Sequence, residues 1–234
     1  MKKFKINNRL ISEDNEPFIV AEMSGNHNLS LSRAIKIIDQ AAKAGVDAIK
    51  LQTYTPDTIT IKSSRKEFLI KDKKNIWKNK TLYDLYKKGQ TPLKWHRRLF
   101  DYAKKKKLIC FSSAFDETSV DFLEKIGTPA YKISSFENDH YPLLKKVAKT
   151  GKPMIISIGL LDLRELEKII KFIKKNGCKN FALLKCTSTY PAKYKDLNLK
   201  TILDLKRRFK CPVGFSDHSE GIAAALAAIS YGAC

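Results

Sequence analysis

The feature that most constrains this chain is a unit that recurs along it. A short apolar run fit for a buried strand is followed by a helix whose apolar residues form one stripe. FIVAE at 18–22 reads as the first such strand. After the loop SGNHNLS, residues Leu31, Ala34, Ile35, Ile38, Ala41 and Ala42 fall at the three- and four-residue spacing of a buried helical face, and Gly45 ends the helix. VDAIKLQT (46–53), LICFSS (108–113), AYKISS (130–135), PMIIS (153–157), FALLKCTS (181–188) and PVGFS (212–216) read as the following strands. Helices are expected at about 117–126, 141–150 and 198–209, in the Ala-rich stretch 219–231, and from Asp162, which forms a capping box with Glu165. Most strand starts are about 22 to 31 residues apart, the size of a βα unit. The exception is the step from 46 to 108, which holds an insertion at 54–91. That insertion is polar and rich in Thr, Lys and Tyr, and reads as a long loop over one face, of the kind that lids a site.

Seven βα units in series predict a parallel sheet covered by helices. Two α/β architectures compete, an open doubly wound sheet and a closed (β/α)8 TIM barrel. No G-x-G-x-x-G follows the first strand, which counts against a dinucleotide-binding sheet. Polar residues end nearly every strand: Glu22, Lys50 with Gln52, Ser112 with Ser113, Lys132, Ser157, Ser188 and Ser216. An open sheet would gather them near one switch point, whereas a barrel brings them to one mouth, so the even spread favours the barrel. Only seven of eight units are present, because the sequence reaches YGAC where the seventh helix would hand over to an eighth strand. The expectation is therefore one incomplete barrel over 1–234, part of a longer protein.

A chain of 234 residues with 43% apolar residues is long enough for a substantial core and is not a disordered tail. No apolar run approaches the roughly 18 residues of a membrane span, and MKKFKINNRL lacks the apolar core of a secretory signal. Lys and Arg number 45 against 24 Asp and Glu, a net charge of +21. Such a charge suits nucleic acid, an anionic membrane or an acidic substrate. The basic runs KDKKNIWKNK, KKKK (104–107) and LKRRFK are scattered, which reads as a solvated surface rather than a track for a nucleic-acid backbone. Cys110, Cys178, Cys186, Cys211 and Cys234 show no C-x-x-C or zinc-finger spacing. Cys110 and Cys186 lie in apolar runs as small hydrophobes, and a reduced, cytoplasmic setting fits.

Alternation puts Ala48, Lys50 and Gln52 on one strand face. A lysine in a strand covered on both sides is costly unless an anion meets it, and Lys132 poses the same problem. Two ammonium groups with several hydroxyls at strand ends make an anion site, for phosphate or carboxylate. Glu22 and Glu137 lie at or just past strand ends, where carboxylates position or move protons or merely balance the lysines. In GFSDHSEG (214–221), His218 shares a parity with Gly214 and Ser216 and is a candidate ligand for a divalent metal. Its partner would be His27 or a residue of the absent eighth strand. His96 and His140 read as surface or structural residues. Tyr190, before Pro191, either contacts a substrate or caps a rigid turn.

FIVAEMSGNHN, DAIKLQTYTPDTIT, CFSSAFDETSVDFLE, AYKISSFE, LLKCTSTYP and GFSDHSEGIA together resemble the sialic acid synthase family, in order and across essentially the whole chain. QTYTPDT, LYDLYKKGQTPLKWH and CTSTYP favour its pseudaminic acid branch. The resemblance implies a barrel that condenses phosphoenolpyruvate with an open-chain amino sugar, for this branch 2,4-diacetamido-2,4,6-trideoxy-L-altrose, releasing phosphate. It implies a divalent cofactor, Mn2+ or Mg2+, that polarises the aldehyde. Lys50, Gln52, Ser113, Lys132, Ser135, Ser157, Ser188 and Ser216 match phosphoenolpyruvate-binding positions. Glu22 and Glu137 match the catalytic carboxylates, Tyr190 a sugar contact and His218 one of two metal-binding histidines.

The family's second metal histidine, in an E-[KR]-H-F motif, falls just past position 234. A later acidic substrate contact and the C-terminal antifreeze-like domain, which lends an arginine across a homodimer, are also absent. SIGLLD (157–162) stands where the family has an STGM-type stretch; Ser157 is kept, but Ile158 replaces a threonine. Rival readings are synthesis of N-acetylneuraminate or legionaminate by the same chemistry and, more remotely, a basic nucleic-acid-binding protein. The expected partners are phosphoenolpyruvate and an amino sugar, with no nucleic acid and no membrane.

Overall fold

The computed structural model describes residues 3–71 and 77–234. Residues 1–2 of the stretch read for a signal, and 72–76 of the expected insertion, lie outside the described residues. The strands are β1 (Phe4–Ile6), β2 (Arg9–Ile11), β3 (Val20–Glu22), β4 (Ala48–Thr53), β5 (Ile109–Ala114), β6 (Tyr131–Ile133), β7 (Met154–Ser157), β8 (Phe181–Cys186) and β9 (Val213–Ser216). The helices are α1 (Leu31–Lys43), α2 (Pro56–Ile59), α3 (Leu82–Gly89), α4 (Leu93–Lys105), α5 (Glu117–Ile126), α6 (Tyr141–Lys149), α7 (Leu163–Lys175), α8 (Thr201–Phe209) and α9 (Ala223–Ser230). They fall into two compact units: Val20–Thr128, and the residues up to Ile19 together with Pro129–Cys234.

In the Val20–Thr128 unit, β3, β4 and β5 are parallel neighbours in chain order. Glu22 stands opposite Lys50, and Gln52 opposite Ser113. Residues in register share a sheet face, so Glu22, Lys50, Gln52 and Ser113 point the same way. The opposite face carries Ile49, Leu51, Thr53, Cys110, Ser112 and Ala114, all buried. It lies under α1, α4 and α5, whose buried stripes are Ala34, Ile38 and Ala41; Leu99, Phe100 and Ala103; and Val120 and Leu123. Ser30 caps α1 and Asp116 caps α5, each accepting a backbone N–H three residues on, and Gly127 ends α5 in the left-handed region at φ 79°.

The insertion expected as a loop is more structured than its polarity suggests. It contains α2, α3, a 3-10 turn at Lys66–Phe68 and a bridge between Leu69 and Thr81. Tyr54 is buried and meets Tyr86 and Phe115 edge-on, with ring centroids 5.8 and 5.2 Å away. The end of α3 presses on the loop after β3. A Cβ on Gly25 would lie 3.1 Å from both the Cα and the carbonyl oxygen of Gly89.

The second unit starts with a hairpin that the strand–helix pattern does not reveal, because β1 and β2 have three residues each. They pair antiparallel around Asn7, at φ 49°, and bury Phe4, Ile6 and Ile11. Just after the hairpin, Glu13 forms an ion pair with Lys206 of α8. The parallel strands β6 to β9 follow in chain order. Their register places Lys132 with Ile155, Ser157 with Leu184, and Cys186 with Ser216 on one face. The other face buries Tyr131, Ile133, Met154, Ile156, Leu183 and Val213. The capping box of Asp162 and Glu165 forms at the start of α7, whose stripe Leu166, Ile169, Ile170 and Ile173 is buried. At the last residue, the Cys234 N–H donates to Val213 O (2.9 Å) and Phe18 N–H donates to Cys234 O (2.8 Å). Among the described residues, no helix is long and apolar enough to cross a membrane. All five cysteines are free thiols.

Candidate functional site

In the Val20–Thr128 unit, the ends of β3, β4 and β5 bring four expected residues onto one face. The Lys50 ammonium pairs with the Glu22 carboxylate and donates to Ser113 Oγ at 3.4 Å. Gln52 stands half-buried beside them, one alternation further along β4. Glu22 also accepts the Ser24 N–H at 3.0 Å, in a loop where Ser24, Asn28 and Leu29 all have positive φ. Such a backbone needs an anchor. His27 supplies it: Nδ1 accepts the Leu29 N–H at 3.1 Å, which leaves Nε2–H to donate to Thr91 Oγ1 at 3.1 Å.

His27 is therefore not a metal ligand in waiting. It is wholly buried, both ring nitrogens are engaged, and burial lowers its pKa. His96, expected at the surface or in a structural role, is structural and also wholly buried. Its Nδ1–H donates to Pro92 O (3.3 Å), its Nε2 accepts from Thr53 Oγ1 (2.9 Å), and Thr53 Oγ1 in turn meets Ser112 Oγ (2.7 Å). Burial drives the His96 pKa to about 4. Ser112 thus belongs to the helix-covered face, while its neighbour Ser113 belongs to the site.

In the second unit, the ends of β6 to β9 gather the remaining expected residues. Lys132 is 9% exposed. Ser135 Oγ accepts the Gly159 N–H at 3.1 Å, and Asn138 Nδ2 donates to the carbonyl of Ser157 at 3.0 Å, tying the turn after β6 to the end of β7. Gly159 is needed here because a Cβ would come within 2.5 Å of Ser188 Oγ and 3.0 Å of Ser135 Oγ. Ser216 follows on β9, half-buried and in register with Cys186. Burial raises the Glu137 carboxyl to about 7 against the opposing attraction of Lys132. Among the described residues, three buried side-chain oxygens here have no hydrogen-bond partner: Ser134 Oγ, Glu137 Oε2 and Ser157 Oγ.

Beside them, His218 Nδ1–H donates to Thr187 O at 2.8 Å, which leaves Nε2 with its lone pair free to accept. Tyr190, 73% exposed, stacks on this ring at a centroid distance of 4.1 Å, with its hydroxyl 3.1 Å from Nε2. Cys186 was expected to be a plain hydrophobe. Instead its Sγ lies 3.9 Å from both His218 Nδ1 and Ser188 Oγ. Burial pushes the thiol up, but His218, Ser135 and Ser188 outweigh it and the pKa falls to about 7. Contact with Cys186 in turn raises the His218 pKa, against burial. Lys185 is a second feature that the sequence reading passed over. From the other face of β8 its ammonium reaches back to Cys186 O (2.9 Å) and Thr187 Oγ1 (3.3 Å).

His218 meets one requirement of a metal ligand, since the Thr187 carbonyl fixes its tautomer and leaves Nε2 as the acceptor, which here faces the Tyr190 hydroxyl. Among the described residues, however, no group of three His, Cys, Asp or Glu is placed to hold a metal ion. The described residues thus hold no complete set of three such ligands around His218.

Seven parallel βα units in chain order, with lysines, serines and carboxylates at the strand ends, define the chain as a member of the (β/α)8 class of folds. The NeuB family model matches residues 37–234, and the chain belongs to that family. It is 44% identical to the pseudaminic acid synthase of Campylobacter jejuni over 220 residues, 94% of this chain and 64% of that protein. It is 39% identical to the N,N'-diacetyllegionaminic acid synthase of the same organism, over 92% of this chain and 65% of that one. The crystal structure of N-acetylneuraminic acid synthetase from Leptospira borgpetersenii, in complex with citrate, superimposes with a TM-score of 0.86 at 31% identity, covering 99% of this chain and 75% of that one. The chain thus spans less than two thirds of the length of the curated relatives it matches.

Proposed function

We propose that the protein condenses phosphoenolpyruvate with 2,4-diacetamido-2,4,6-trideoxy-L-altrose to give pseudaminic acid and inorganic phosphate. The observation that carries this reading is the second unit's site face. A buried lysine stands there with hydroxyls and a carboxyl, three of whose oxygens are buried without partners. Buried polar groups of this kind want a polar ligand. The pseudaminic sugar follows from the likeness to the Campylobacter jejuni synthase.

In this reading the methylene carbon of phosphoenolpyruvate attacks the sugar aldehyde, water adds to the resulting cationic carbon, and phosphate leaves with cleavage of its C–O bond. Each unit supplies an ammonium with hydrogen-bonding groups for a phosphate or carboxylate: Lys50 with Gln52 and Ser113 in one, Lys132 with Ser135, Ser157, Ser188 and Ser216 in the other. Fixed ammonium groups stabilise an anion best where water is excluded. Glu22 orients the water or takes its proton. Glu137, with a pKa of about 7, holds or releases a proton near neutral pH. Tyr190 contacts the sugar. A divalent ion, Mn2+ or Mg2+, held in part by His218 Nε2, would polarise the aldehyde. We read the full-length protein as a cytoplasmic homodimer.

The test is phosphate release by the full-length protein with phosphoenolpyruvate and each candidate sugar. Release with the altrose derivative supports the reading. Release only with N-acetylmannosamine, or only with the legionaminate precursor, transfers the protein to another branch of the same chemistry, to which the 39% identical Campylobacter jejuni relative belongs.

A further inference from the structure

We infer that Ser134 is a further ligand for the bound anion, donating its hydroxyl beside Ser157 on the face that carries Lys132. The inference deepens the reading above and rests on it. The register supplies the placement. Tyr131, Lys132 and Ile133 stand opposite Met154, Ile155 and Ile156. Continued one residue past the end of β6, the same register would set Ser134 opposite Ser157, two residues beyond Lys132 and on its side of the sheet. Parallel neighbours lie about 4.8 Å apart, so one anion can bridge the two hydroxyls.

The unmet hydrogen bonds supply the reason. Ser134 Oγ, Ser157 Oγ and Glu137 Oε2 are the buried side-chain oxygens that lack a partner among the described residues, and all three sit in or beside the turn joining β6 to its ligand-side loop or at the end of β7. The Glu137 N–H donates to Ser134 O (3.2 Å), and the Asn138 amide donates to Ser157 O (3.0 Å), so the three belong to one tied group. A hydroxyl that finds no acceptor from the protein has its hydrogen free to donate. Two such donors beside an ammonium suit an acceptor-rich group, a phosphate or carboxylate, better than a neutral one. Glu137 fits beside an anion as well, because its raised pKa keeps much of it protonated near neutrality.

The experiment is calorimetric titration of the full-length protein with phosphoenolpyruvate and, separately, with inorganic phosphate, using wild type, Ser134→Ala and Ser134→Thr. Loss of one hydrogen bond to a charged group predicts phosphoenolpyruvate binding about tenfold weaker in Ser134→Ala. Ser134→Thr, which keeps the hydroxyl, should recover most of that loss. The melting temperature of ligand-free Ser134→Ala should be equal to or above that of wild type, because the deleted hydroxyl has no protein partner to strand. Weakened phosphate binding would place Ser134 at the phosphoryl end, and weakening confined to phosphoenolpyruvate would place it at the carboxylate. Unchanged affinity in Ser134→Ala, or a loss matched by a lower melting temperature, overturns the inference alone. A wild type that does not bind phosphoenolpyruvate overturns the functional reading and this inference with it.

Discussion

In the proposed reaction Lys132 carries the most weight of any single side chain. The residue is 9% exposed, on a face shared with serine hydroxyls, aliphatic groups and the Cys186 thiol. Lys132→Ala should raise KM for phosphoenolpyruvate by about ten- to a hundredfold, the loss expected for a charge-assisted contact, while the melting temperature moves by only a few degrees. Steady-state kinetics beside thermal melts would check this, and parallel loss of both would mark the lysine as structural. Glu137 makes a prediction about pH. Its carboxyl titrates near 4.5 when unfolded and at about 7 when folded, so the folded state binds the extra proton between those values. Its contribution to stability is therefore complete below about pH 4.5 and is lost as pH rises through about 7. Glu137→Gln should flatten that part of the stability profile, read as denaturant midpoint against pH. Gly159→Ala should weaken phosphoenolpyruvate binding, since its methyl would displace the Ser188 and Ser135 hydroxyls, and calorimetry would read the loss.

Elements were more legible in the sequence than contacts between them. The seven parallel strands and the helices that follow them could be read because buried strands are near-continuous apolar runs and their helices carry 3.6-residue stripes. The α5 helix, Glu117–Ile126, begins and ends where its pattern predicts. The β1–β2 hairpin escaped because three-residue strands hold too little alternation to register. Burial of His96 did leave a signal: with Leu99, Phe100 and Ala103 it completes the buried stripe of α4, but the charged neighbours Lys94, Arg97 and Arg98 masked it. Cys186 gave no signal, because the residue that gives its thiol meaning, His218, is 32 positions away. The α4 helix also offers a test. Thr53→Val would leave His96 Nε2 without its buried partner and take one hydrogen bond from Ser112, and should cost about 1–3 kcal/mol in chemical denaturation, whereas Thr53→Ser should cost much less.

For the molecule as a whole, the charge of +21 acts at long range on any multiply charged substrate. If the net field draws phosphoenolpyruvate in, kcat/KM for that substrate should fall as salt shortens the screening length from about 30 Å at 0.01 M to about 8 Å at 0.15 M, while the value for a neutral sugar stays level. Stopped assays across that range would separate the two.

The pairing of Lys50 with Glu22 bears on the order of events. In the proposed reaction, an incoming anion would have to share that ammonium with a carboxylate already resting on it. The grip on Glu22 would then slacken, leaving it the lighter tether of the Ser24 amide. Arrival of the first reactant and the unmasking of a base would then be one motion, and an empty enzyme would keep its own reactive group sheathed.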